Sequence, residues 1–104
     1  MSEPFEASFS IPATHPALPG HFPGAAVVPG VVLLEQVLQA AESRLATPVS
    51  VRGIPHVKFS APLLPGTDAR ALLKLESAKL SFRIECAGRT IAQGTFLLRA
   101  EHTS

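Results

Sequence analysis

The 104-residue chain has no tryptophan or tyrosine, one methionine, one cysteine and, in Asp68, one aspartate. A single thiol excludes an internal disulfide and any multi-cysteine metal site. Cys86 stands in an alternating apolar stretch and reads as a buried structural thiol. Charge is also sparse: nine Lys and Arg against eight Asp and Glu give a net charge of +1, with no basic cluster and no aromatic-basic interleaving. Nucleic acid is therefore not an expected partner. The longest apolar run, around 25–34, is broken by Pro29 and Gly30 and falls short of the roughly 20 residues that cross a membrane, so no membrane association is expected. Met1-Ser2-Glu3-Pro4 lacks the charged and then apolar segments of a secretory signal, and a cytoplasmic location is expected. A Gly-x-Ser-x-Gly elbow, a P-loop and a Gly-x-Gly-x-x-Gly fingerprint are absent, which removes the common hydrolase, NTPase and dinucleotide readings.

What remains suits one domain over residues 1–104, 46% of them apolar. Phe5, Ala7, Phe9 and Ile11 alternate with polar residues, the period of a half-buried strand. Residues 12–30 hold five of the ten prolines and three of the seven glycines, which excludes regular helix and predicts a stiff, turn-rich loop. From Gly30 to about Leu45 the spacing turns helical, with Leu33, Leu34, Val37, Leu38, Ala40, Ala41 and Leu45 forming one broad apolar face, and Pro48 stands beyond as a stop. Strands are predicted over Val49 to Phe59, Ala69 to Glu76, Leu80 to Cys86 and Thr90 to Arg99, with turns at Pro65-Gly66 and Ala87-Gly88. The order is α+β: one helix against an antiparallel sheet whose free edge invites a second copy.

Two residues stand out as chemistry. Glu35, Gln36, Gln39, Glu42 and Ser43 share one side of the helix, opposite the leucines, and are ordinarily a solvated stripe. Helical side chains lean toward the N-terminus, however, so Glu35 should overlie Val31 and Val32 in an apolar setting that suits a proton donor. Gln39, one turn later, is placed to orient it. His21 lies in Gly20-His21-Phe22-Pro23-Gly24, where stiff prolines can aim a base, although a lone histidine is more often hydrogen-bonded within its own loop. At Pro29-Gly30 free backbone amides and the positive end of the helix dipole collect, a place to hold an oxyanion, and glycine there is also a simple conformational choice. His15 and His56 adjoin prolines in expected loops and His102 lies in a polar tail; none has metal-motif spacing, and no metal is expected.

The unit from His21-Phe22-Pro23-Gly24 through Pro29-Gly30 to Glu35, with Gln39 following, resembles the motif of hotdog-fold 3-hydroxyacyl-acyl carrier protein dehydratases, and Val57-Lys58-Phe59-Ser60-Ala61-Pro62-Leu63-Leu64-Pro65-Gly66 is a looser match. The resemblance implies a sheet wrapped around a central helix. It implies that His21 removes the α-proton of a 3-hydroxyacyl thioester, that Glu35 protonates the leaving hydroxyl, that the Gly30 amide polarises the carbonyl and that Gln39 orients Glu35. It further implies a substrate carried on the phosphopantetheine of acyl carrier protein, no other cofactor, and a homodimer, or a higher oligomer built from it, in which each site takes one catalytic residue from each subunit. Ala26 departs from the proline usual in relatives. A fainter likeness is to accessory dehydratases of polyketide or polyene pathways rather than the fatty-acid enzyme. A hotdog thioesterase would use the helix carboxylate without the His21 loop, and a non-catalytic hotdog subunit would bind acyl carrier protein without needing either residue. Arg52, Lys58, Arg70, Lys74, Lys79 and Arg83 are candidates for a positive rim that would guide an acidic carrier, and each alone reads as a solvated strand-face charge.

Overall fold

The computed structural model describes residues 4–12, 14 and 27–99. It contains β1 (Phe5–Phe9), α1 (Gly30–Leu45), β2 (Val51–Phe59), β3 (Ala69–Glu76), β4 (Lys79–Cys86) and β5 (Arg89–Leu98). The strands form one antiparallel sheet in the order β1-β3-β4-β5-β2, so β1 and β2 are its edges. The hotdog architecture expected from the sequence is borne out. No helix of the described residues is long and apolar enough to cross a membrane.

The alternation in β3, β4 and β5 decides which face is core. Ala71 and Leu73, Leu80, Phe82 and Ile84, and Phe96 and Leu98 point inward with Val32, Leu33, Val37 and Ala41 of α1. Phe82 and Phe96 meet with ring centroids 5.3 Å apart. α1 packs over β3 and β1. Arg70 sits on the outer face between Glu6 and Glu85, at 3.4 Å from each, and Arg83 lies 3.3 Å from Glu85, so the carboxylates of β1 and β4 are matched by neighbouring cations.

Boundaries moved where backbone pairing, rather than pattern, sets them. Strand β1 ends at Phe9 because Ala69 is the last residue of β3 opposite it; Ile11 continues into the core without a ladder partner, and its carbonyl accepts the N–H of Gly66 at 2.7 Å. β3 and β4 are joined by Ser77-Ala78, a two-residue turn that the sequence does not advertise, in which Ser77 takes the left-handed φ of 53°. The Ala87-Gly88 turn is as expected, both residues having positive φ as a two-residue hairpin of the right twist requires. His56 lies in β2 rather than a loop, exposed and opposite Thr95, with Nε2 3.4 Å from its Oγ1. Cys86 ends β4 half-buried, not fully buried.

The helix is closed at its C-terminal end by its own residues. Ala46 adopts the left-handed conformation and donates its N–H to the Glu42 carbonyl, while the Glu42 carboxylate accepts the N–H of Val49 at 3.0 Å. That carboxylate ties α1 to the start of β2. A half-buried side chain on the polar stripe is thereby structural.

Candidate functional site

The start of α1 is built by backbone rather than side chains. Pro29 precedes it in extended conformation and supplies no side-chain cap, and its carbonyl accepts the N–H groups of Val32 and Leu33 at 3.0 and 3.3 Å. The N–H groups of Gly30 and Val31 have no partner among the described residues, and the first turn holds no acidic side chain to occupy them. Among the described residues, nothing therefore occupies the positive end of the helix dipole, where an incoming oxygen could be held.

A cleft of about 420 Å³ lies beside this end, walled by Val28, Gly30, Leu33, Phe59 and the 60–63 segment. Its far wall is tied down by backbone bonds from Val28 N–H to the Leu63 carbonyl and from Ser60 N–H to the Ile91 carbonyl, both 2.8 Å. Phe59, 48% exposed at the end of β2, lies directly against Gly30: a Cβ added to that glycine would stand 2.7 Å from the ring's Cζ. Glycine at this position therefore makes room for an aromatic ring as well as leaving the amide approachable. Sequence reasoning assigned Phe59 no role, although it fell within the looser motif match.

Glu35 projects from an exposed stripe. Val31, one turn before it, is 62% exposed, and Glu35 and Gln39 are exposed as well. The apolar cover expected for the Glu35 carboxyl is not supplied by Val31 and Val32, because Val31 turns outward and Val32 turns into the core. Gln36 and Gln39 line a groove between α1 and β1, together with Phe5, Phe9, Ser43 and Arg44, and Glu35 is not among its walls. At 100° per residue, the flank turned away from that groove carries Val31, Glu35 and Glu42 with Leu34 and Leu38. No hydrogen bond joins Gln39 to Glu35 among the described residues. Glu35 and Gly30 are brought to one end of the helix; His21 lies outside the described residues. No group of three or more histidine, cysteine, aspartate or glutamate side chains that could hold a metal ion occurs among the described residues.

The family model described as ApeI-like, ApeI dehydratase, matches residues 2–95. A 3-hydroxyacyl-[acyl-carrier-protein] dehydratase FabZ of Thermus thermophilus is 33% identical over 87 residues, covering 76% of this chain and 58% of that protein. The FabZ of Thiobacillus denitrificans is 31% identical over 103 residues, covering 88% and 70%. The chain thus spans little more than half the length of the first of these relatives. Among solved structures, the dehydratase heterocomplex ApeI:P from Xenorhabdus doucetiae superposes with a TM-score of 0.81 at 28% identity, covering 94% of this chain and 93% of that one. The match runs through the segment that carries His21 and the helix that carries Glu35, and on it the chain belongs to the ApeI-like dehydratase family, a branch of the hotdog-fold 3-hydroxyacyl-acyl carrier protein dehydratases.

Proposed function

We propose that the chain, as one hotdog domain, dehydrates a 3-hydroxyacyl thioester carried on acyl carrier protein to the trans-2-enoyl thioester. A ring nitrogen of His21 takes the α-proton, the C–H electron pair forms the new double bond, and the C–O bond breaks as Glu35 delivers its proton to the hydroxyl, which leaves as water. The proton gained by the imidazole returns through solvent to the carboxylate. The reaction balances with no further cofactor. Negative charge that develops on the thioester oxygen meets the N–H of Gly30 at the helix start, which has no partner among the described residues and where a dipole already fixed in place costs no reorganisation.

The observation that carries this reading is the His21 to Pro29-Gly30 to Glu35 unit within a family match over residues 2–95, with Gly30 at the start of α1 beside an apolar cleft and Glu35 on the same helix. Glu35 is exposed in the single chain, and a second subunit lying over that flank would enclose it together with the substrate. The unpartnered β2 edge and the exposed Val31, Ile54 and Phe59 supply a surface for such a subunit. A pathway in polyketide or polyene synthesis accords with the ApeI-type relatives. In the reverse direction, a trans-2-enoyl thioester should lose its conjugated-enoyl absorbance on adding enzyme and water; retention of that absorbance across several acyl lengths would count against the proposal.

A further inference from the structure

A thioester carbon held at the Gly30 N–H carries two arms, the sulfur that leads to the carrier and the C2–C3 unit that leads into the acyl chain. In the proposed dehydration Glu35 has to reach the hydroxyl on C3. Its side chain is not among the walls of the cleft beside Gly30; it lies on the helix flank with Val31, Leu34 and Leu38. The acyl arm therefore leaves Gly30 toward that flank, and the sulfur arm is left with the cleft of about 420 Å³. The lining of the cleft suits the same division. Of the side chains that wall it, only that of Ser60 carries a polar atom. Ser60 is exposed, and its N–H and that of Ala61 are donated to the Ile91 carbonyl at 2.8 and 3.3 Å, which fixes the segment to β5. The hydroxyl and the carbonyl of Ser60 have no protein partner among the described residues.

From this we infer that the cleft takes the phosphopantetheine arm rather than the acyl chain, and that Ser60 binds the arm, its hydroxyl donating to an amide carbonyl. The inference rests on the proposed dehydration, which fixes the direction of C3. The arm alternates amides with short methylene runs. Its methylenes suit the walls that Val28, Leu33 and Leu63 supply, and its amides carry the N–H and C=O groups that the carbonyl and hydroxyl of Ser60 can pair. An acyl chain in the same place would strip water from both Ser60 groups and return no hydrogen bond, a cost that an amide removes. Phe59 joins the two ends of the grip: the tip of its ring lies against Gly30, which faces the thioester oxygen, and its backbone leads directly into Ser60. A cleft of this size, largely apolar with a single polar side chain, is the usual form of a site that fixes the orientation of a small group.

The test deletes the hydrogen bond from each side in turn. One trans-2-enoyl group is presented as its thioester with N-acetylcysteamine, which keeps the first amide of the arm, and with propanethiol, which lacks it. Hydration of both is followed by loss of enoyl absorbance with wild type, Ser60→Ala and Ser60→Thr, the folds of the variants being checked by thermal melting. The expected result is that wild type favours the amide-bearing thioester by about ten-fold in kcat/KM, with the difference lying in KM, that Ser60→Ala brings this ratio close to one, and that Ser60→Thr, which keeps a hydroxyl, retains it. A ratio equal in wild type and Ser60→Ala overturns the inference. So does a Ser60→Ala variant whose preferred acyl length shifts while its amide preference stays, since the chain would then occupy the cleft. Turnover of carrier-borne substrate alone overturns it as well, because an amide held by Ser60 should carry the truncated thioester. Wild type inert on the carrier-borne substrate too would sink the dehydratase reading and this inference with it, whereas turnover without amide dependence would sink only the inference.

Discussion

The ring of Phe59 occupies the space that a side chain on Gly30 would need, with Cζ and Cε1 at 2.7 and 2.9 Å from the position of an added Cβ. The obstructing atoms are the far end of a half-exposed side chain, which can swing outward at little cost. Gly30→Ala should therefore lower stability by no more than about 1 kcal/mol, the small cost expected where a clash is relieved by a rotamer change. Its effect on turnover should be far larger, because the displaced ring and the new methyl both crowd the amide. Combining it with Phe59→Ala should restore the stability lost, which a urea-denaturation double-mutant cycle would detect.

Gly94 supplies the contrast. A Cβ there would meet the carbonyl oxygen of His56 at 2.6 Å and Cα of Val57 at 2.9 Å, both backbone, with β5 paired to β2 at that point. Nothing nearby can rotate away, so the strands must separate. Gly94→Ala is expected to cost about 3 kcal/mol or more, measured by chemical denaturation, or to prevent soluble expression at all.

Glu42 ties the helix end to β2 through the Val49 N–H at 3.0 Å. Removing a charged acceptor from a part-buried donor costs about 1–2 kcal/mol, so Glu42→Ala should shift the urea midpoint accordingly. Glu42→Gln keeps an acceptor oxygen and should lose less than half of that. Equal losses in the two variants would mean that charge, rather than the hydrogen bond, holds the turn.

The Arg70 ion pairs, by contrast, should matter little. Both are 3.4 Å long on an open sheet face, with Arg70 52% exposed, and such pairs contribute about 0–1 kcal/mol before salt screens them. Arg70→Ala is expected to leave the melting temperature nearly unchanged at moderate salt; a large drop would show that Arg70 packs against the sheet through its aliphatic stem.

Much of this was legible in the chain itself, and the reasons differ by element. The helix over Gly30–Leu45 and the strands β3 to β5 announce themselves because a continuous core face repeats at one period. The Ser77-Ala78 turn does not, since nothing in those two residues favours positive φ; strand pairing on either side imposes it. Gly94 carried a readable signal, a glycine inside a strand, which often marks close backbone approach. The site divides in the same way. Its residues are adjacent in sequence and so could be picked out by motif, but the surroundings of Glu35 depend on which side of α1 turns toward the sheet and on what covers the β2 edge. Periodicity along one chain cannot convey the second.

The central claim is dehydration by His21 and Glu35, and the most direct measurement is the intact mass of a 3-hydroxyacyl group on acyl carrier protein after incubation with the protein. The account predicts loss of one water with wild type and none with His21→Ala or Glu35→Gln. Release of free acid and carrier thiol, or undiminished water loss in both variants, would contradict it.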